Sequence, residues 1–368
     1  MTTRTPLPAP PRDNRLDAMR GVLQVFICFS HIEAGWAVYL IHKQLGFSDS
    51  SELFVFLSGL TLGSVFQRKA HNEGFLTAWR DMGQRTWALY VKHLLMFLAF
   101  LAWLEVLHAM TPGWAYFAEH TYAAFLANPA GLAGPVLLLA HQPPFIDILP
   151  LFLVLMLAMP LAMVLPIRWG WWTVAPFALL YAGATLAGWR VTTLPDGQPW
   201  TFNPLTWQLL FFLGVFLGRA RLVGLQPFRR LGWLVWPAAA LVIAGAIIRL
   251  SWTLGDAFGT PMLLTGLWSL MDKPNASPLL VVHALSVALV VASLVRADHP
   301  LFRHRLLQPL VWCGQRSLEV FIFGVFVSLG SATLIQVVGG GALVQLGTIA
   351  LVLVLLPTYA WLLGRLRR

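Results

Sequence analysis

The sequence predicts an all-α membrane protein, a bundle of about ten transmembrane helices with both termini cytoplasmic. Three observations support this. Of the 368 residues, 58% are apolar and only 11% charged, and a mean hydropathy of +0.71 excludes a water-soluble core of this size. The apolar residues fall in blocks of roughly 14 to 23, the length at which a helix rising about 1.5 Å per residue crosses about 30 Å of hydrocarbon. Lys and Arg gather in alternate connections, as cytoplasmic loops require. Helices follow rather than strands, because an open sheet edge cannot be satisfied in lipid.

In chain order, a tail over 1–14 rich in Pro (Pro6, Pro8, Pro10, Pro11) reads as flexible and cytoplasmic, followed by one integral-membrane domain over 15–368. Spans are placed near 21–41, 52–67, 86–108, 147–166, 170–188, 205–218, 231–249, 278–295, 315–335 and 342–363. Arg4, Arg12, Arg15 and Arg20 precede the first. Arg68, Lys69, Arg80 and Arg85 fill the next inner connection, Arg168 the following one, and Arg219, Arg221, Arg229 and Arg230 the one after. Arg296, Arg303 and Arg305, then Arg365, Arg367 and Arg368, complete the inner set. Nineteen of the 25 Lys and Arg are inside and four outside (Lys43, Arg190, Arg249, Lys273), with Lys92 and Arg316 inside helices. The net charge of +10 is thus explained by topology and not by a nucleic-acid surface, and no nucleic-acid partner is expected.

The outer connection 109–146 is long, lacks Lys and Arg, and carries Trp114, Tyr116, Phe117 and Tyr122. Its apolar stretch 124–140 is broken by Pro and Gly, which suits an interfacial or re-entrant helix better than an eleventh span. The aromatics suit stacking on sugar rings and the lipid interface equally. A second outer connection, 251–277, could form another part of an outer mouth.

The first span carries the most chemistry. Asp17, Arg20, Gln24, Cys28 and His31 fall within an arc of about 80° on one helix face. On a helix otherwise made of Val, Leu, Phe and Ile, such a stripe must face the bundle interior or a wet cavity. Arg20 and His31 are about 16 Å apart along the axis, a geometry that suits a long ligand with an anionic head and a reactive tip. Coenzyme A is such a ligand, its phosphates meeting Arg20 while pantetheine carries a thioester toward His31. Spacing alone allows the blander reading too, with Arg20 marking a helix end and His31 a satisfied core residue.

The run Arg15-Leu16-Asp17-Ala18-Met19-Arg20-Gly21, with His31 beyond ten intervening residues, resembles the Arg-x10-His signature of the membrane acyltransferase 3 superfamily. More closely, the chain resembles the OpgC family, whose members attach succinyl groups to osmoregulated periplasmic glucans. The likeness continues through Gly46 to Gly59, Asp147-Ile148-Leu149-Pro150-Leu151-Phe152, Asn203 to Leu210, Asp272-Lys273-Pro274-Asn275 and Ser317 to Phe321, and so covers most of the chain.

The resemblance implies a catalytic His at His31 and a donor role for Arg20. The donor is an acyl-CoA, succinyl-CoA by the resemblance, used as a substrate with no permanently bound cofactor. The acceptor is a periplasmic glucan or related carbohydrate, and the setting a bacterial inner membrane with lipid as a further partner. His31 would serve as general base on a glycan hydroxyl, or as a transient acyl carrier. Ser58 is a candidate oxyanion donor. Arg80 and Arg85 could hold coenzyme A phosphates or merely mark topology. Asp49 and Glu52 could orient His31 or bind sugar, or else cap the second span, and Asp147 and Asn203 could bind acceptor or cap. No metal site is expected, since His and acidic residues are scattered and there is no Cys cluster. The rival function is a transporter or flippase for a glycan or anionic metabolite, because a polar stripe would line a pathway equally well.

Overall fold

The structure, a computed structural model, describes residues 6–8, 12–32, 35–111, 119–227, 232–297 and 299–366. They form helices α1 (Asn14–Ser30), α2 (Ser50–Glu73), α3 (Phe75–Met110), α4 (Glu119–Ala127), α5 (Pro129–Leu137), α6 (Ile148–Val164) and α7 (Ala175–Ala187). These are followed by α8 (Pro204–Leu222), α9 (Val235–Phe258), α10 (Pro278–Leu294), α11 (Gln308–Gln315), α12 (Ser317–Val338) and α13 (Ala342–Leu366). No β-strand occurs among the described residues.

Five helical stretches there are long and apolar enough to cross a membrane: α3, α8, α9 with the turn before it, α12 and α13. Two further apolar helices, α6 and α10, are shorter. The rest of the bundle follows from where polarity sits. α1 and α2 carry Asp, Arg, Gln, Ser and Thr, and they pack centrally against α8, α11 and α12. α9 and α13 leave Trp236, Ile243, Leu343 and Val354 exposed, as helices facing hydrocarbon do.

Close backbone approach fixes the centre. Gly59 and Gly63 of α2 face Gly214 and Gly218 of α8, two stripes of small residues four apart. A Cβ on Gly59 would overlap the Phe211 carbonyl, and one on Gly218 the Leu60 carbonyl. Such contact allows dispersion along the whole interface where apolar surface gives no driving force against lipid. Gly21 of α1 and Gly314 of α11 make the same approach to Leu310 and Asp17.

Several expected boundaries move. The first helix begins at Asn14 and stops at Ser30, so that its last carbonyls face His31 and a 3₁₀ turn (Trp36–Leu40) replaces the outer third of the expected span. The inner connection before the third span is itself helical: α3 has 36 residues, about 54 Å, and Arg80 and Arg85 lie on its first turns. The segment 315–335 is broken at Arg316, where φ −128° and ψ 39° separate α11 from α12. α4 and α5, nine residues each, are too short to cross. Trp114, Tyr116 and Phe117 lie outside the described residues. Tyr122 is buried and stacked on Phe97 at 5.6 Å, which removes it as a sugar platform. In the tail, Leu7 exchanges hydrogen bonds of 2.8 and 3.0 Å with Asn72 of α2, while 1–5 and 9–11 lie outside the described residues.

Candidate active site

The end of α1 presents His31. Its backbone N–H bonds the Cys28 carbonyl as the helix terminates, and its ring stands edge-on to Phe145 at 4.6 Å. The ring faces a cavity of about 560 Å³ whose wall includes Asp49, Asp147, Thr201, Phe202 and Lys273. Carboxylates beside aromatic faces are the groups that receive sugar hydroxyls and ring C–H faces.

Asp49 is set by the start of α2. Its Oδ1 accepts from the Ser50 N–H at 2.6 Å, and Glu52 accepts from the Asp49 N–H at 2.8 Å in a capping box. Its Oδ2 accepts from Lys273 Nζ at 2.7 Å. Burial alone would raise the Asp49 carboxyl. The charge and hydrogen bond of Lys273, the Ser50 N–H and the charge of Lys43 outweigh it and hold Asp49 below the usual carboxylate range. Burial would likewise lower Lys273, but the charges of Asp49 and Glu52 raise it to about 12. The pair is therefore ionised across the physiological range.

Lys273 arrives there through α8. Asn203 caps that helix by accepting from the Leu205 N–H at 3.3 Å, and its Nδ2 donates to Trp189 O at 2.8 Å and Asn275 Oδ1 at 3.1 Å. Trp207 Nε1 donates to the Lys273 and Pro274 carbonyls at 3.1 Å. The Asn203 to Leu210 segment thus clamps the Asp272 to Asn275 turn and aims Lys273 at Asp49.

At the other end of α1, Arg20 Nη2 donates to Leu57 O at 2.7 Å and Thr61 Oγ1 at 2.8 Å, while its buried Nε has no partner among the described residues. It lines a separate cavity of about 320 Å³ with Arg85, which is tied to Asp81 at 2.8 Å. Ile148 and Phe321 line both this cavity and that of His31, so the two abut across these side chains.

A family model described as OpgC protein matches residues 12–368. The chain belongs to the OpgC family. No curated protein and no solved structure matches it.

In this OpgC chain the structure brings together His31, Asp49 and Asp147 at one cavity and Arg20 and Arg85 at the other. Arg80 is exposed on α3 and lines neither, because five residues turn it about 140° round the helix from Arg85. Asn203 is not an acceptor ligand, since its buried amide is consumed by Trp189, Asn275 and the α8 cap. Glu52 is fully buried in the capping box, where it accepts from the Asp49 N–H and adds its charge to that of Asp49 on Lys273. Neither carboxylate hydrogen-bonds His31. Ser58 donates to Phe54 O at 2.7 Å and lines the Arg20 cavity, too far along α2 to serve as an oxyanion donor at His31.

The stripe on α1 also divides. Asp17 is buried and paired with Arg12 at 2.7 Å, and Cys28 packs on Gly324 of α12. Gln24, between the two cavities along α1, is 1% exposed with neither amide atom partnered among the described residues. Lys273 lines the His31 cavity and pairs with Asp49, a placement that helix spacing does not predict. The Asp272-Lys273-Pro274-Asn275 motif carries it, but 224 residues separate Lys273 from Asp49.

Proposed function

We propose that this chain is a membrane O-acyltransferase that moves a succinyl group from cytoplasmic succinyl-CoA to a hydroxyl of a periplasmic glucan, across a bacterial inner membrane. The observation that carries the reading is the placement of His31 in one cavity and Arg20 with Arg85 in another, abutting at Ile148 and Phe321. Phosphates of the donor sit by the two guanidinium groups. The pantetheine arm runs along α1 past Gln24, and the thioester carbon comes to rest beside His31.

The glucan hydroxyl enters the His31 cavity, held by Asp49 and Asp147 and by the Phe202 face. A ring nitrogen of His31 takes the hydroxyl proton as the oxygen bonds to the thioester carbon. The tetrahedral intermediate expels the coenzyme A sulfur, which recovers the proton from the imidazolium. The products are the glucan ester and free coenzyme A thiol. Phe145 against one edge of the ring limits its rotation, and the Asp49–Lys273 pair supplies a fixed dipole with no net charge near the imidazole.

Two adjoining cavities would also suit a transporter, and one experiment separates the readings. Periplasmic glucans from a deletion strain, complemented with wild type or His31→Ala at equal membrane levels, are weighed by mass spectrometry. A succinyl increment seen with wild type alone is expected. Unmodified glucans with wild type would defeat the acceptor assignment, and modification by His31→Ala would defeat the mechanism.

A further inference from the structure

We propose that Arg249 is the carboxylate receptor of an acyl-tail pocket and selects a dicarboxylic monoacyl donor over neutral acyl groups. This rests on the acyltransferase reading. A second cavity of about 320 Å³ shares Ser30, His31, Asp49 and Lys273 with the first and extends toward α9. His31 therefore stands in a wall common to two chambers. An acyl carbon held beside it can extend its tail into one while a hydroxyl approaches from the other.

The second chamber is built around a fixed guanidinium. Arg249 is 4% exposed, its Nε donates to Lys43 O at 3.0 Å and its Nη2 to Gln44 Oε1 at 3.3 Å. Thr253 Oγ1 holds the same Gln44 oxygen at 3.0 Å. Trp252 and Trp268 flank the guanidinium, with its carbon 5.1 and 5.5 Å from their ring centres. All these partners are neutral. Among the described residues Arg249 forms no ion pair, and the carboxylate whose charge acts on it is Asp256, which is exposed at the same chamber. A buried cation whose nearest carboxylate is exposed and out of ion-pair contact carries a desolvation cost that a carboxylate in the chamber would offset.

The charges of the chamber give the same answer. Lys43, Arg249 and Lys273 line it against Asp49 and Asp256. Asp49 is taken by Lys273 at 2.7 Å, which leaves two cations facing one carboxylate. A succinyl thioester brings one carboxylate, two methylenes beyond the reacting carbonyl, and those methylenes match the indole walls. Lys43 is exposed, so its charge is screened, whereas the planar guanidinium is already oriented and can bond a carboxylate through two parallel N–H groups.

The test uses the full-length protein in lipid nanodiscs with purified glucan. Rates are compared for succinyl-CoA and butyryl-CoA, which has a methyl where succinyl has its carboxylate. Wild type should prefer succinyl, and Arg249→Met should lower the succinyl-to-butyryl ratio of kcat/KM about 10- to 100-fold, the range for loss of a charge-assisted hydrogen-bonded pair. Arg249→Lys, which keeps the charge but not the fork, should retain part of the preference. If Arg249→Met does not assemble, Arg249→Gln carries the same measurement. An unchanged ratio with transfer still detectable overturns the proposal, because Arg249 would then only shape the wall. A wild type that prefers butyryl overturns it as well. Wild type that acylates the glucan with neither donor would remove the acyltransferase reading, and this proposal with it.

Discussion

Neutralising Lys273 separates its structural role from its role at the site. In Lys273→Met the Asp49 carboxylate keeps the Ser50 N–H and the capping box but loses a 2.7 Å charge-assisted bond. A buried bond of that kind contributes about 1.5–3 kcal/mol. The Lys273 side chain is 36% exposed and that of Asp49 14%, so solvent screening reduces the expectation to about 1–2 kcal/mol. Thermal unfolding in detergent of wild type, Lys273→Met, Asp49→Asn and the double variant gives the coupling directly.

The pH dependence has a definite sign. Asp49 is held below its ordinary value, so its contribution is complete above the ordinary carboxylate range and is lost as pH falls through the lowered value. Lys273 is raised from 10.5 to about 12, so its contribution is complete below 10.5 and is lost as pH rises through about 12. In a Glu52→Gln background, which removes the neighbouring carboxylate acting on both groups, the coupling should therefore be flat from about pH 5 to 9. A coupling below about 0.3 kcal/mol, within the additivity of independent sites, or one that fades between pH 6 and 8, would refute the ion pair as the link between α2 and the 272–275 turn.

Gly59→Val should place a side chain on the Phe211 carbonyl and reduce folded protein, measured as the monodisperse peak in detergent gel filtration, with a cost of at least about 3 kcal/mol; normal yield would show that α2 and α8 can separate. His31→Ala should lower transfer about 10²- to 10⁴-fold while coenzyme A binding by calorimetry stays within twofold. Arg20→Met should do the reverse, weakening coenzyme A binding about tenfold or more, and equal effects of both variants on binding would contradict the division of labour along α1. Phe321→Trp, at the partition between cavities, should slow transfer with little change in coenzyme A affinity; a rate unaffected by the larger ring would show that the acyl group takes another path.

What sequence alone could read was what depends on one helix or one local run. Arg20 and His31 share a face because 3.6 residues make a turn, and no tertiary information is needed to place them about 16 Å apart. The Asp49 and Glu52 capping box is equally local, three residues from donor to acceptor. Among the described residues helices occur in each of the apolar blocks, five of them long and apolar enough to cross a membrane, where backbone groups have no other partner. Where the reading failed, the cause was contact between distant segments. Asn203 has the same side chain whether it binds a sugar or holds the 272–275 turn, and only the position of Trp189 and Asn275 decides between them. Helix ends move because a connection between spans can continue as helix when its polar groups remain wet, as α3 does through Arg80 and Arg85. Tertiary structure alone placed Lys273 on Asp49, joined the Arg20 and His31 cavities at Ile148 and Phe321, and brought Arg249 into a wall with His31. Charge complementarity and cavity shape arise between helices, where side-chain periodicity along any one of them carries no information.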